Sequence, residues 1–397
     1  MKNIFLLLAV ATMAIAGTTG KLSGTITDAA TKEPVTGAII QVIGTPLGAV
    51  SDVDGRFIIL NLQPGTYAVK VSMLGYDPVT VENIKIFVDQ TTPLTVTLLQ
   101  SSVQMKEVVV SAEAPAIQKD VTSSISVISP GDIDALPVAT FTELIGLQAG
   151  VVGSGNNFHV RGGRANEVAY LIDGAYVQDP LLGGLATQIN NDAIQEMSLL
   201  SGTFNAEYGN AMSGIVNIVT KEGQENFSGK AEMRTTEFGI QEYERLHEMR
   251  YSATISGPLY FQKLKFFASG ENDRRGSYLP FGYHNSKTFF TKLTYSGISS
   301  VKLSLSNRGS SGEYKNYSHA FKYIPEMYEK TYTDSYQSSV NITHTLGETF
   351  FYDVNVSYFN QGINSGMDKD TSQYIGINDE IYIDTEENGT TYRDFYA

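Results

Sequence analysis

The reactive side chains this chain holds set a first limit on its chemistry. Its imidazoles are His159, His247, His284, His319 and His344, and it has no cysteine. Neither an H-E-x-x-H pair nor a G-x-S-x-G elbow occurs, so neither a zinc hydrolase nor a serine-nucleophile enzyme is expected. Without thiols there are no disulfides, no thiolate metal sites and no lipidated N-terminal cysteine. Asp52 and Asp54, in Ser51-Asp52-Val53-Asp54-Gly55-Arg56-Phe57, could open a calcium loop, but the remaining oxygen ligands do not follow at the required spacing. A plain turn is expected there, and no catalytic residue, cofactor or metal site is expected anywhere.

A second kind of chemistry is available to the main chain itself. In Glu107-Val108-Val109-Val110-Ser111-Ala112 three consecutive valines favour extended backbone, and an extended segment can add itself to the edge of a partner's sheet. The competing reading is an ordinary edge strand of the neighbouring domain, and local chemistry alone favours that one. Net charge removes another class of partner. With 42 acidic against 28 basic residues the formal charge is -14, which disfavours nucleic acid, whose binding needs a basic surface.

These residues lie on several domains, because 397 residues at 42% hydrophobic exceed one ordinary core. Residues 1–16 read as a secretory signal: Lys2, the apolar run Ile4 to Ala11, then Ala14-Ile15-Ala16, with cleavage expected after Ala16. That run is well short of the roughly 20 residues of a membrane-spanning helix, and no later stretch approaches it. Any membrane insertion must therefore use strands closed into a barrel.

From 21 to 99, short β-rich runs alternate with turns at Asp54-Gly55, Pro64-Gly65 and Gly75-Tyr76-Asp77-Pro78, the pattern of a β-sandwich. Strands are expected at Gly24 to Thr27, Ala38 to Val42, Phe57 to Leu60, Tyr67 to Val71 and Leu94 to Leu98. A linker, 100–115, holds the valine run. Residues 116–222 read as mixed α/β, with strands near Ser124, Phe158, Ala169, Met197 and Ile215, a turn at Pro130-Gly131, and a helix capped by Thr140 and stopped by Gly150. Beyond Phe227 lie 18 of the 23 tyrosines and seven segments of strict alternation, starting near Lys230, Tyr251, Leu264, Thr288, Val301, Ser339 and Tyr352. An export signal, strands of about ten residues and aromatics near strand ends favour an outer-membrane barrel over a soluble sandwich. Lys302 and Arg308 fall in the polar register and should face the lumen, since a lipid-facing Lys or Arg costs about 2 to 4 kcal/mol at the midplane. The acidic tail, Asp368 to Asp394, reads as a solvated outer loop.

Two stretches resemble known families. Residues 21–99 resemble the carboxypeptidase-regulatory-like domain through Ser51 to Phe57, Leu62-Gln63-Pro64-Gly65-Thr66-Tyr67 and Gly75-Tyr76. Val121 to Lys221 resembles the plug of TonB-dependent receptors through His159-Val160-Arg161-Gly162-Gly163, Tyr170-Leu171-Ile172-Asp173-Gly174, Ala206-Glu207-Tyr208-Gly209 and Gly214 to Lys221. The fold class so implied is multidomain and mainly β: a β-sandwich, an α/β plug and a partial antiparallel transmembrane β-barrel over 226–397. The resemblance gives Glu107 to Ala112 the position of the TonB box, which reverses the preference for an ordinary edge strand. It implies an outer-membrane receptor that takes up an extracellular ligand into the periplasm, energised by TonB and its inner-membrane motor complex, with the N-terminal domains periplasmic.

Within the plug motif, Arg161, Gly162 and Gly163 match the family's Arg-Gly element. Arg161 is read either as pairing with acidic groups of the barrel wall or as a salt bridge inside the plug. Asp173-Gly174 and Tyr208-Gly209 read as turns and packing rather than ligand contacts. Ligand contacts are expected from Gly153 to Asn157 and Tyr176 to Gln188. A lipoprotein lid, the partner in the sugar-importing subclass, stays open, because the run after Arg161 is shorter than that subclass's proline-bearing approach to its Asp-Gly. An adhesin or signalling receptor of the same architecture is the alternative function. The family's plugged barrel has 22 strands, so seven strands imply a fragment, with on the order of 300 further residues for the rest.

Overall fold

The computed structural model describes residues 18–397 apart from 102–107, 112–123, 137, 139, 155–156, 180–182, 203–207, 209–210, 237–246, 260–262, 299, 323–327, 347–349, 368–373, 378–379, 388–389 and 397. The signal segment, Glu107, Ala112 and Gly209 lie outside the described residues.

The first domain is a sandwich of two sheets. One orders β4 (Arg56–Leu62), β1 (Gly20–Asp28) and β7 (Thr91–Leu98); the other orders β3 (Gly48–Val50), β2 (Ile39–Val42), β5 (Gly65–Ser72), β6 (Val79–Ile86) and β8 (Val108–Ser111). Alternate residues from the two sheets, among them Leu22, Ile26, Ile40, Val69, Val71 and Leu98, bury a common core. The Asp52 carboxylate accepts the main-chain N–H groups of Asp54 (2.9 Å) and Arg56 (2.7 Å) and Gly55 has φ +68°, so this segment is the expected turn.

Strand β8 falls in the segment expected as a linker, yet its backbone pairs in parallel with β6: Val79 with Val108, Thr80 with Val109, Val81 with Val110 and Glu82 with Ser111. The valine run is thus an edge strand of the preceding domain, the reading that local chemistry favoured.

The second domain has a five-stranded mixed sheet ordered β13 (Ala175–Tyr176), β12 (Val168–Ile172), β15 (Gly214–Thr220), β14 (Ile194–Ser201) and β9 (Ser124–Ile128), beside the hairpin β10 (Val151–Ser154) and β11 (Asn157–Val160). Every residue of β12 and β15 is buried, as expected of central strands covered on both faces. Helix α1 (Pro130–Ala135) occupies the expected Pro-Gly turn. Proline is well placed in a first helical turn, and the Asp132 carboxylate accepts the Ser129 N–H at 2.9 Å. Helix α2 (Phe141–Gly146) starts at the expected Thr140 cap but ends before Gly150, whose φ of +80° instead turns the chain into β10.

All seven expected strands of the last region form one antiparallel meander: β16 (Ser228–Thr235), β17 (Met249–Pro258), β18 (Leu264–Gly276), β19 (Tyr283–Ile298), β20 (Val301–Lys315), β21 (Glu329–Leu346) and β22 (Phe350–Met367). The last five are longer than the ten residues expected, reaching 18 in β21 and β22, because the ladders continue into polar hairpin ends that alternation alone does not mark. The inner face is polar and buried, with Arg250, Ser269, Lys292, Arg308 and Gln337. The outer face exposes Tyr251, Ile255, Leu293, Leu303, Leu305, Val354 and Val356. Apolar residues on the outside and polar residues within are the pattern of a membrane barrel wall, and Arg308 lies on the lumen face as expected. The acidic tail differs from expectation: β23 (Tyr374–Ile377), β24 (Glu380–Glu387) and β25 (Thr390–Tyr396) form a separate antiparallel sheet, in which Asp384 faces Arg393 across the ladder.

Candidate functional site: the plug seated on the barrel wall

Two of the Gly-containing plug motifs are tight turns. Arg161 (φ +50°) and Gly162 (φ +81°) are followed by the Gly163 N–H, which donates to the Val160 carbonyl at 2.9 Å. Asp173 (φ +50°) and Gly174 (φ +76°) link β12 to β13 with Ile172 opposite Ala175. Two successive residues at positive φ make the hairpin turn that Asp-Gly favours. A Cβ on Gly163 would come within 2.2 Å of the Ser213 Cβ, so that glycine permits the close approach of two plug segments.

The Asp173 turn also carries the plug's principal charged contact with the wall. Its carboxylate accepts the Thr220 N–H (2.9 Å) and Thr220 hydroxyl (2.5 Å), and lies 3.4 Å from the Lys292 ammonium on β19. Lys292 also reaches Glu222 at 3.5 Å, and Glu222 pairs with Lys302 of β20 at 2.9 Å. Asn355 on β22 donates to the Asp173 carbonyl at 3.0 Å. Burial pushes the Glu222 carboxyl up, but the Lys302 and Lys292 ammonium groups outweigh it and hold the carboxyl below its usual range. Two lumen-facing aromatics, Phe267 and Phe290, complete the seat by joining the plug's hydrophobic core.

Further contacts lie toward the opposite end of the strands: Gln361 to Asp179 (3.1 Å), Ser335 to Thr187 (2.8 Å) and Arg275 to Glu143 (3.3 Å). Asp179 and Thr187, in the segment expected to meet ligand, therefore lie toward the end of the wall where β17 and β21 begin.

Neither of the two partners considered for Arg161, an acidic group of the wall or one within the plug, is found among the described residues. Arg161 instead runs beside Gly150 and Gly202, where added Cβ atoms would lie 3.6 and 3.3 Å from it. The plug-to-wall pairing runs the other way, from plug carboxylates to wall lysines. Sequence reading assigned Asp173 its turn but missed Lys292 and Glu222. The available signal was Lys292's place in the polar register of β19, between Phe290 and Thr294.

The sandwich also grips the plug, on the side where β19 ends and β20 begins. Glu196 of β14 is buried and accepts the Val88 N–H at 3.0 Å, Tyr208 donates to Asp89 at 2.7 Å, and Gln195 donates to the Pro64 carbonyl at 2.9 Å. Asn61 donates to Thr345 of β21 at 2.7 Å. A cavity of about 970 Å³ opens where sandwich, plug and wall meet, lined by Gln195, Lys221, Glu222, Lys230 and Lys302 among others.

Burial, helped by the Asp89 charge and opposed by the Val88 N–H, raises Glu196 to about 7. A raised carboxyl favours the docked state fully below the ordinary value of 4.5, and this contribution is lost as pH rises through 7. We expect the sandwich–plug contact to weaken over that range by at most about 3 kcal/mol, since the plug itself supplies part of the burial. Glu196→Gln keeps the acceptor and should flatten the profile, as read by limited proteolysis at the domain junction against pH. An unchanged slope in that variant would assign the effect to another group.

Comparison with known proteins places this architecture. Residues 22–110 match the CarboxypepD_reg-like domain and residues 117–215 the TonB-dependent Receptor Plug Domain. The chain is similar to TonB-dependent transporter Oar of Myxococcus xanthus, 24% identical over 278 residues that cover 62% of this chain and 26% of that protein. It is similar also to TonB-dependent receptor SusC of Bacteroides thetaiotaomicron, 28% identical over 212 residues, 49% of this chain and 20% of that one. Its fold superposes on FpvA of P. aeruginosa, solved with bound pyoverdines, with a TM-score of 0.53 at 14% identity, over 68% of this chain and 36% of that chain. Fold and domains together are those of a plug seated on part of an antiparallel barrel-like wall. Two consecutive segments of the chain thus carry a CarboxypepD_reg-like domain and a TonB-dependent receptor plug domain, and its curated relatives are TonB-dependent transporters and receptors. The chain spans about a quarter or less of the length of the curated relatives it matches.

Proposed function

We propose that this chain supplies the gate of an outer-membrane transporter that takes up an extracellular ligand and is energised through TonB and the inner-membrane motor complex. The observation that carries the reading is the plug sheet seated against the polar inner face of the wall by the Asp173, Lys292, Glu222 and Lys302 contacts. A plug held by a few charged pairs can be unseated by force without unfolding the wall. The six residues Glu107 to Ala112 serve as the TonB box, and main-chain pairing explains why a valine run suffices. The sandwich lies at the end where β19 passes to β20 by a short connection, which in outer-membrane barrels is periplasmic, and Asp179 and Thr187 then lie toward the outer side. The apolar outer face meets outer-membrane lipid.

No role as an enzyme follows from these parts, and the relatives are transporters and receptors. A lipoprotein lid stays among the partners to be tested. Accumulation of a candidate ligand by cells with and without TonB tests the reading. Transport requires accumulation that disappears without TonB, whereas equal cell-associated ligand in both strains would indicate an adhesin.

A further inference from the structure

The parallel pairing of β8 with β6 bears on how a partner strand reaches the box. The chain leaving β7 is tied back to the sandwich at once: Gln100 donates to Asp28 at 3.0 Å, and the Ser101 N–H donates to the Gly75 carbonyl at 2.9 Å. Val108 lies in register beside Val79. Residues 108–111 end the five-stranded sheet, and no described strand pairs with their other side.

Natural sheets blunt edges of this kind with short strands, prolines, charges or bulges. The sandwich does so elsewhere. Edge strand β3 has three residues, β7 carries Pro93 opposite Ser23, and β4 carries Asn61 at φ +62° with its side chain bonded to Thr345. Val108-Val109-Val110-Ser111 has no proline, no charge and no register shift. This edge alone among the four is long enough, flat enough and uncharged enough to accept a further strand.

We propose that the outer edge of β8, held on the sandwich, is the docking edge for the TonB strand, so that the partner adds a sixth strand to a preformed sheet. The proposal rests on the TonB-box reading and adds a role for the sandwich to it. A free peptide must lose backbone freedom when a partner captures it, whereas a box already ordered by β6 has lost most of that freedom beforehand. The sandwich is then a platform that strengthens recruitment, and release of β8 from β6 is not required.

The test uses the full-length receptor and the isolated periplasmic domain of TonB as probe. Because the chain has no cysteine, Thr80→Cys with Val109→Cys can form one disulfide, between residues that are register partners. Binding of the TonB domain, measured by calorimetry, should agree within about twofold between oxidised and reduced forms. Loss of binding on oxidation that returns on reduction would overturn the platform and make β6 a competitor for the box. Deletion of 21–99 gives an independent reading, since it leaves every strand of the plug sheet and wall in place. Affinity should fall at least about tenfold on deletion, and a rise would overturn the proposal. Val109→Pro separates the two levels: if it leaves TonB binding undiminished, the box assignment itself fails and this proposal with it.

Discussion

Replacing Lys292 by Met should unseat the plug. The substitution preserves much of the side chain's length and removes the ammonium that faces Asp173 at 3.4 Å and Glu222 at 3.5 Å. Both carboxylates are largely buried, and removing one partner of a buried pair costs about 3 to 5 kcal/mol because it strands a charge away from water. Glu222 keeps Lys302 at 2.9 Å and Asp173 keeps its two Thr220 bonds, so the lower end of that range is expected. In the full-length receptor this should appear as a lower temperature for loss of the folded band on unheated gels, and as greater entry of large antibiotics through an ill-seated plug. Adding Asp173→Asn to the Lys292→Met variant removes the stranded charge and should restore part of the stability. Strictly additive losses in that double variant would mean that the two residues do not act as a pair.

The second large effect is expected at Val109. Proline there removes a main-chain donor from the box strand, and a lost ladder bond with an unsatisfied partner costs roughly 2 kcal/mol, more than tenfold in affinity. Ligand uptake should fall to the level seen without TonB, while ligand binding at the cell surface stays as in the wild type. Val109→Ala keeps the donor and should retain most uptake. Since Val109 pairs with Thr80, the proline also loosens β8 from the sandwich, and the alanine variant, which keeps the main-chain donor, controls only for loss of the valine side chain. Equal uptake by the proline variant and wild type would remove the box assignment.

How much of this was legible in the sequence differs by level. Period-two alternation located all seven wall strands and put Arg308 on the lumen side, because burial on one face and lipid on the other constrain every second residue. Strand ends were not legible, since a ladder that runs on into polar hairpin ends needs only backbone bonds. In the sandwich β6 was missed: Asn83 sits in it at φ +61° and breaks the alternation of Val79, Val81, Ile84 and Ile86. Strand β3, three residues long, leaves too short a pattern to recognise.

At the site, the positive-φ turn at Asp173-Gly174 was readable from local chemistry, but its partner was not. Lys292 meets Asp173 only after β12 has packed under β19, and nothing local distinguishes Lys292 from any other lumen lysine. Arg161 attracted attention for its motif, and the charge that meets the wall is instead carried by Asp173 and Glu222. The valine run shows the same limit in reverse. Its extended preference is local, but whether it lies against its own sandwich or a partner depends on the parallel register with Val79 to Glu82, which no local pattern encodes.

The most direct test of energised transport is contact between the box and TonB in living cells. Single cysteines placed in turn at Val108, Val109, Val110 and Ser111, in a chain that has none of its own, can be oxidised against a cysteine in the periplasmic domain of TonB. The expected result is a receptor–TonB disulfide at several of these positions, increased when the transported ligand is present and absent from a control cysteine at Leu74, an exposed sandwich residue. No crosslink above that control at any of the four positions, in cells that still accumulate ligand, would contradict the account.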